Sequence, residues 1–138
     1  MSTLNALDPT PEQIKAFLAS NEEGKPVYML NLLKFKEKAT YKDGENVSGR
    51  TAYSRYAKAL SQMVEGQAGF GAIFGGNAQA WMIGQGEGEW DAVAIFTYPD
   101  AKTMFETVSS DAYSKIHTHR RAGLAGQLLI CCDNEAVF

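Results

Sequence analysis

The chain has 138 residues, of which 45% are hydrophobic and 21% charged, a composition typical of one globular domain and not of a disordered chain. Its 13 basic and 16 acidic residues give a formal net charge of −3, so the basic excess typical of nucleic-acid binding is missing. No apolar run approaches the ~20 residues of a membrane-spanning helix. We therefore expect a single domain over residues 1–138, with neither nucleic acid nor a membrane as partner.

The N-terminal sequence and the cysteines bear on localisation. Residues 1–11 carry neither the basic start nor the apolar stretch of a signal peptide. The two cysteines, Cys131 and Cys132, are neighbours in the chain, and a disulfide between adjacent strand residues would be strained. We therefore expect a cytoplasmic protein whose cysteines are small apolar strand residues.

Residues 1–25 are expected to form a helical extension. Thr10 suits the N-cap, Pro11 the first helical position, and Gln13 can complete a capping box. The next run, 27–35, is apolar on both faces, which predicts a central strand covered on both sides. Residues 36–49 form a charged loop, and a loop of this length predicts a mobile segment over a site.

The rest of the chain has the periodicities of two helical regions and three strands. An apolar face recurs from Tyr53 to Val64, Asp100 caps a second helical region, Ser110 restarts it, and Gly123 ends it. The predicted elements in chain order are helix 53–64, strand 69–84 with a bend at 75–77, strand 90–98, helix 101–121 and strand 126–132.

After the N-terminal helix the predicted order is β-α-β-β-α-β. This is the ferredoxin-like, split βαβ order of the α+β class, in which a four-stranded antiparallel sheet carries both helices on one face. The strands offer more apolar side chains than that face can bury; they include Leu30, Leu32, Val93, Ile95, Leu129 and Ile130. A second copy of the sheet is the simplest cover for the other face, so we expect a homodimer.

Asn31 is the most informative polar residue, because it stands midway along the most apolar strand on the face of Met29 and Leu33. An unpaired buried amide costs about 1–3 kcal/mol, so it needs a partner. That partner is either a neighbouring strand or a ligand in a pocket. The same choice holds for Tyr53 and Tyr56, whose hydroxyls need partners in the core or donate to a substrate oxygen.

The helix that ends near residue 121 carries a cluster of cations that includes His119 and Arg120. Cations at a helix C-terminus complement the helix dipole, and they could equally bind an anionic substrate or move a proton. Trp90 begins a strand beside a glycine-rich turn, where tryptophan is more often a core or interface anchor than a pocket residue.

Neither a metal nor a cofactor is predicted. His117 and His119 are two residues apart, not the four of a zinc-binding helix. The glycines of 69–71 and 84–88 match neither a dinucleotide-binding fingerprint nor a phosphate-binding loop, and no helix is predicted after them.

Several short motifs together resemble one known family, named domain of unknown function 1330. They cover about residues 27–130 and are Met29-Leu30-Asn31-Leu32-Leu33-Lys34-Phe35, Ser48-Gly49-Arg50, Tyr53, Tyr56, Gly75-Gly76, Glu89-Trp90-Asp91, Tyr98-Pro99, Phe105, Ser110-Asp111-Ala112-Tyr113 and Arg120. The resemblance implies the dimeric α/β barrel fold. It implies no reaction, because proteins of that fold carry out unrelated chemistries.

The leading hypothesis is a cofactor-independent small-molecule binder or enzyme, with a pocket between sheet and helices. The candidate ligand-binding residues are Asn31, Tyr53, Tyr56, Trp90, His119 and Arg120. The alternative is a non-catalytic protein whose dimerisation or ligand-binding surface is itself the function. A closed core around Asn31 favours the alternative, whereas a solvent-connected cavity with converging polar groups favours an enzyme.

Overall fold

The structure is a computed structural model that describes residues 7–85 and 90–135. Within these residues eight helices and strands follow one another, and their order after the first helix is the predicted ferredoxin-like one. The elements are α1 (Pro11–Ser20), β1 (Val27–Phe35), α2 (Gly49–Met63), β2 (Gly71–Asn77), β3 (Ala92–Tyr98), α3 (Ala101–Val108), α4 (Asp111–Gly123) and β4 (Leu124–Cys132).

The strands form one antiparallel sheet in the order β2-β3-β1-β4. β1 lies between β3 and β4, as its apolar sequence predicts for a central strand. Asn31 stands opposite Ala94 on one side and Leu129 on the other. One chain thus forms an open α+β sheet and not a closed barrel.

The two faces of the sheet differ in their cover. Val27, Met29 and Leu33 of β1 are buried on the helix side, where the side chains of Phe17 and Met104 pack against Val27 and Met29. We call the other side the open face; its side chains are half-buried or exposed and include Leu30, Leu32, Val93, Ile95, Leu128 and Ile130. β1 was expected to be covered on both faces. Within one chain only its helix-side face is covered.

Local capping signals were confirmed. Thr10 closes a capping box with Gln13 at the start of α1, Asp100 caps α3 and Ser110 caps α4. These side chains accept hydrogen bonds from backbone N–H groups that a helix leaves unpaired in its first turn. Among the described residues, no helix is long and apolar enough to cross a bilayer.

The β2 region differs from its prediction. β2 ends at Asn77, and the bulge lies between Ala72 and Phe74 instead of at 75–77. Gly75 and Gly76 pair regularly with β3. The predicted second half of this strand is instead an exposed connection, in which Met82 is 97% exposed. Part of the predicted glycine-rich turn, residues 86–89, lies outside the described residues.

α2 and α4 approach each other at two glycines, Gly49 and Gly123. A β-carbon at 123 would meet the Gly49 carbonyl oxygen and would lie 2.8 Å from the Tyr53 backbone nitrogen. The backbone of Lys36 joins the same contact, since its N–H donates to Gly123 and its carbonyl accepts from Gly49. Gly123 is therefore the last residue of α4 packed against α2, and β4 begins directly after it.

The 36–49 loop is held against α2 and α4. Ala39 is buried with Ala52 and Ala122, and the Thr40 N–H donates to the Ala122 carbonyl oxygen at 2.9 Å. The Arg55 guanidinium makes two hydrogen bonds with the Glu45 carboxylate. These contacts argue against the mobile segment that the loop's length predicts.

We expect slow hydrogen exchange at the Ala39 and Thr40 amides, because both donate to backbone carbonyls in a packed region. The measurement is native-state hydrogen exchange, with the amides of the exposed residues Asp43 and Asn46 as an internal comparison. If Ala39 and Thr40 exchanged as fast as these exposed amides, the loop would be mobile as its length predicts.

Candidate functional site

A chain of side-chain hydrogen bonds runs from the middle of the sheet to α4. The Gln127 amide donates to Asn31 Oδ1 at 2.5 Å, and Arg120 Nη2 donates to Gln127 Oε1 at 2.5 Å. Arg120 Nη1 donates in turn to His117 Nε2 at 3.2 Å. We call these four residues, Asn31, His117, Arg120 and Gln127, the Arg120 network. It connects the strands β1 and β4 to the helix α4, on the helix side of the sheet.

Local structure explains why these side chains converge. Asn31 and Gln127 both point to the helix side of the sheet, since Gln127 pairs with Leu33 and Leu33 belongs to the same alternation as Asn31. His117 and Arg120 are three residues apart on α4, so they lie on one helix face. The network thus bridges the two layers of the fold.

The Arg120 guanidinium is nearly buried, with 11% of its side chain exposed. Its partners at hydrogen-bond distance are the neutral groups Gln127, His117 and the Leu7 carbonyl oxygen. The nearest described carboxylate is that of Asp8, whose Oδ1 lies 3.8 Å from Nη1 and whose side chain is 48% exposed. A cation removed from water is costly without a close counter-charge, so Arg120 is only weakly compensated.

Burial and the Arg120 cation also act on His117. Burial is the largest cause that lowers the pKa of His117, and the neighbouring Arg120 and Arg121 cations lower it further. His117 is therefore neutral at pH 7, in agreement with its Nε2 accepting from a guanidinium that can only donate.

Tyrosines border the network on the α2 side. The ring of Tyr53 lies between those of Phe35 and Tyr56, at centroid distances of 5.5 and 5.3 Å. Burial raises the pKa of Tyr53 to about 12, although the Arg120 cation opposes the rise. The Tyr56 and Tyr113 hydroxyls lie 2.8 Å apart, and burial likewise raises the pKa of both. These phenols stay protonated, so they are not bases near pH 7.

The six predicted site residues separate into two groups. Asn31 and Arg120 belong to the network, and Tyr53 and Tyr56 lie beside it. His119 instead meets Tyr41 of the 36–49 loop, with the hydroxyl 2.6 Å from Nδ1. Trp90 is half-buried just before β3 and makes none of the network's hydrogen bonds.

Sequence reasoning missed Gln127 and the contribution of residues 7 and 8. Gln127 had the same signal as Asn31, a lone amide in an otherwise apolar strand. His117 had a signal too, since it is three residues before Arg120 on the same helix. Leu7 and Asp8 had none.

The polar atoms of the Asn31 side chain are hydrogen-bonded to protein groups. Its amide nitrogen donates to the Met29 and Ala94 carbonyl oxygens, at 3.1 Å each, while its oxygen accepts from Gln127. Two open depressions lie elsewhere on the described surface. One of about 440 Å³ lies between the end of α2 and α3–α4, and one of about 270 Å³ lies on the open face.

The described residues bring together no group of three His, Cys, Asp or Glu side chains that could hold a metal ion. Cys131 and Cys132 are free thiols, and burial raises the pKa of Cys131. The Cys131 thiol therefore lacks the lowered pKa of a catalytic nucleophile.

Solved structures of known proteins share this fold. The chain is an α+β protein of ferredoxin-like fold. It is similar to the RPA0582 protein, of unknown function, from Rhodopseudomonas palustris. One structure of that protein has a TM-score of 0.85 at 28% identity over 98% of each chain. A second has a TM-score of 0.81 at 29% identity over 94% of this chain and 96% of that one.

More distant structures share the fold alone. A dimeric protein of unknown function and ferredoxin-like fold from Bacteroides fragilis has a TM-score of 0.52 at 6% identity, over 78% of this chain and 95% of that one. The protein At3g17210 from Arabidopsis thaliana has a TM-score of 0.57 at 15% identity, over 81% of this chain and 98% of that one. Neither a protein-family model nor a curated sequence matches this chain.

Proposed function

We propose that the protein is a homodimer that binds a small molecule at Arg120, between the sheet and the helices α2 and α4. One observation carries the proposal: a nearly buried guanidinium faces mainly neutral partners in a network of aligned polar side chains. Desolvated, weakly compensated charges gather at functional sites, because a ligand can supply the missing partner.

The two amides of the network and the neighbouring Tyr53 have separate roles in that proposal. Asn31 and Gln127 position the guanidinium, since the hydrogen bonds of Asn31 to two strands fix the Gln127 amide. The protonated Tyr53 phenol is a further donor beside Arg120. No cofactor is needed for binding of this kind.

Three observations and one resemblance support the homodimer. The open face is apolar, and Ile130 in it is 61% exposed. The depression on that face is lined by Leu30, Leu32 and residues 128–130, where a second sheet could pack. The B. fragilis protein of the same fold is described as dimeric. The motif resemblance to the domain of unknown function 1330 family also implies a dimeric barrel.

One observation favours the rival function, in which dimerisation itself is the role. The hydrogen bonds of Asn31 go to neighbouring protein groups, and the two open depressions are not lined by it. In that case the Arg120 network stabilises the fold only.

Native mass spectrometry of the purified protein tests both parts. We expect an assembly of twice the 15.1 kDa of one chain, with a retained small molecule or with one taken up from a metabolite mixture. The Arg120→Lys variant keeps the charge but loses the planar fork, so it should remain dimeric and lose the small molecule.

Two outcomes would contradict the proposal separately. A mass of one chain across micromolar concentrations would remove the dimer. A wild-type dimer that binds nothing from the mixture, or a Lys variant that binds equally well, would remove the site and leave the rival function.

A further inference from the structure

The N-terminal residues Leu7 and Asp8 lie on Arg120. The Leu7 carbonyl oxygen accepts a hydrogen bond from Arg120 Nη2, and the Asp8 carboxylate lies between Arg120 and Arg121. The Leu7 side chain packs against the buried cluster of Leu33, Ala92 and Leu124. The chain thus gives its own oxygen acceptors and an apolar side chain to the guanidinium.

Segment 7–8 presents oxygen acceptors next to an apolar side chain, as a small carboxylic acid would. A carboxylate matches the donor fork of a guanidinium better than a lone carbonyl oxygen does. The buried cluster that Leu7 packs against is also lined by Phe35, Tyr53 and Ala94, and such apolar surroundings suit an aromatic or short aliphatic body. A phosphate would call for more cations, and the next one, Arg121, is 52% exposed and already pairs with Asp8.

Segment 7–8 can leave the site without unfolding α1. The capping box of α1 is made by Thr10 and Gln13, and the first backbone bond of the helix runs from the Ile14 N–H to the Thr10 carbonyl oxygen. All of these groups lie at or after residue 10. The Asp8 carboxylate is also too far from Arg120, at 3.8 Å, for a close ion pair.

On the basis of the proposed function, we infer that the ligand is a small apolar carboxylate and that segment 7–8 occupies its place on Arg120 until the ligand displaces it. This agrees with the two open depressions described above, neither of which is lined by Arg120. A tethered segment competes with the ligand at an effective concentration on the order of millimolar. The apparent affinity for the ligand is therefore the intrinsic affinity multiplied by the fraction of molecules in which the segment has left the site.

Isothermal titration calorimetry tests the inference with two probes, benzoate and hexanoate, each paired with its neutral amide. The variant is Leu7→Ala combined with Asp8→Asn, which weakens the segment's hold but keeps Arg120. Glu12→Gln, an exposed change in the first turn of α1, is the matched control. Asp8→Asn alone serves if the double variant folds poorly.

We expect the variant to bind at least one carboxylate about tenfold more tightly than the wild type, while the control matches the wild type and the amides bind at least tenfold more weakly. Equal carboxylate affinity in variant and wild type would overturn the displacement. Amides that bind as well as the acids, or no binding of either acid to the variant, would overturn the ligand class. The proposed function would survive either result if native mass spectrometry still finds a small molecule that depends on Arg120.

Discussion

Replacing Gly123 by alanine is expected to lower the free energy of unfolding by about 3 kcal/mol, the upper end of the range for overpacked sites. The new β-carbon would press on the Gly49 carbonyl oxygen and lie 2.8 Å from the Tyr53 backbone nitrogen. Both are backbone atoms, so neither can move aside as the end of a side chain could. Relief would require α2 and α4 to separate, which would also weaken the Lys36 hydrogen bonds.

Urea denaturation measures this loss, with Gly71→Ala as the control. Gly71 lies in β2, and a β-carbon there would meet no atom within 4 Å. We expect the control to change stability by about 0.5 kcal/mol or less. Equal midpoints for the two variants would mean that the helices do not meet at these glycines.

Replacing Arg120 by methionine is expected to cost about 3 kcal/mol. Methionine keeps the length of the apolar stem but leaves Gln127 Oε1, the Leu7 carbonyl oxygen and His117 Nε2 without their donor. Buried acceptors left unpaired cost about 1–3 kcal/mol each when water cannot reach them, and partial access by water reduces the sum.

Arg121→Met is the matched control, one residue along the same helix. Arg121 is 52% exposed and pairs with Asp8 at the surface, where ion pairs contribute about 0–1 kcal/mol. Thermal and urea melts of both variants provide the comparison. A loss at Arg120 no larger than that at Arg121 would mean that the network does not hold the sheet to α4.

The fold could be predicted because its signals are local. The bounds of β1 follow from an apolar run that ends in charged residues, and Thr10 and Ser110 cap their helices through bonds to residues three positions on. Alternation along β1 placed Asn31 on the face of Met29 and Leu33, which is the helix side of the sheet. Signals of this kind need no knowledge of distant contacts.

The site could be predicted only in part because it depends on distant contacts. The Gln127–Asn31 bond joins residues 96 apart and the Arg120–Leu7 bond joins residues 113 apart. Nothing in the sequence near either residue specifies its partner. The choice of His119 over His117 was avoidable, because helical spacing sets His117, not His119, on the face of Arg120.

Binding of a small molecule at Arg120 can be observed residue by residue in two-dimensional NMR spectra of the isotope-labelled protein. During a benzoate titration we predict that the side-chain amide signals of Asn31 and Gln127, the Arg120 Nε–H signal and the Asp8 backbone signal shift together with one affinity. Shifts confined to the groove that Met63 and Thr107 line, or to Leu30 and Ile130 of the open face, would contradict binding at Arg120.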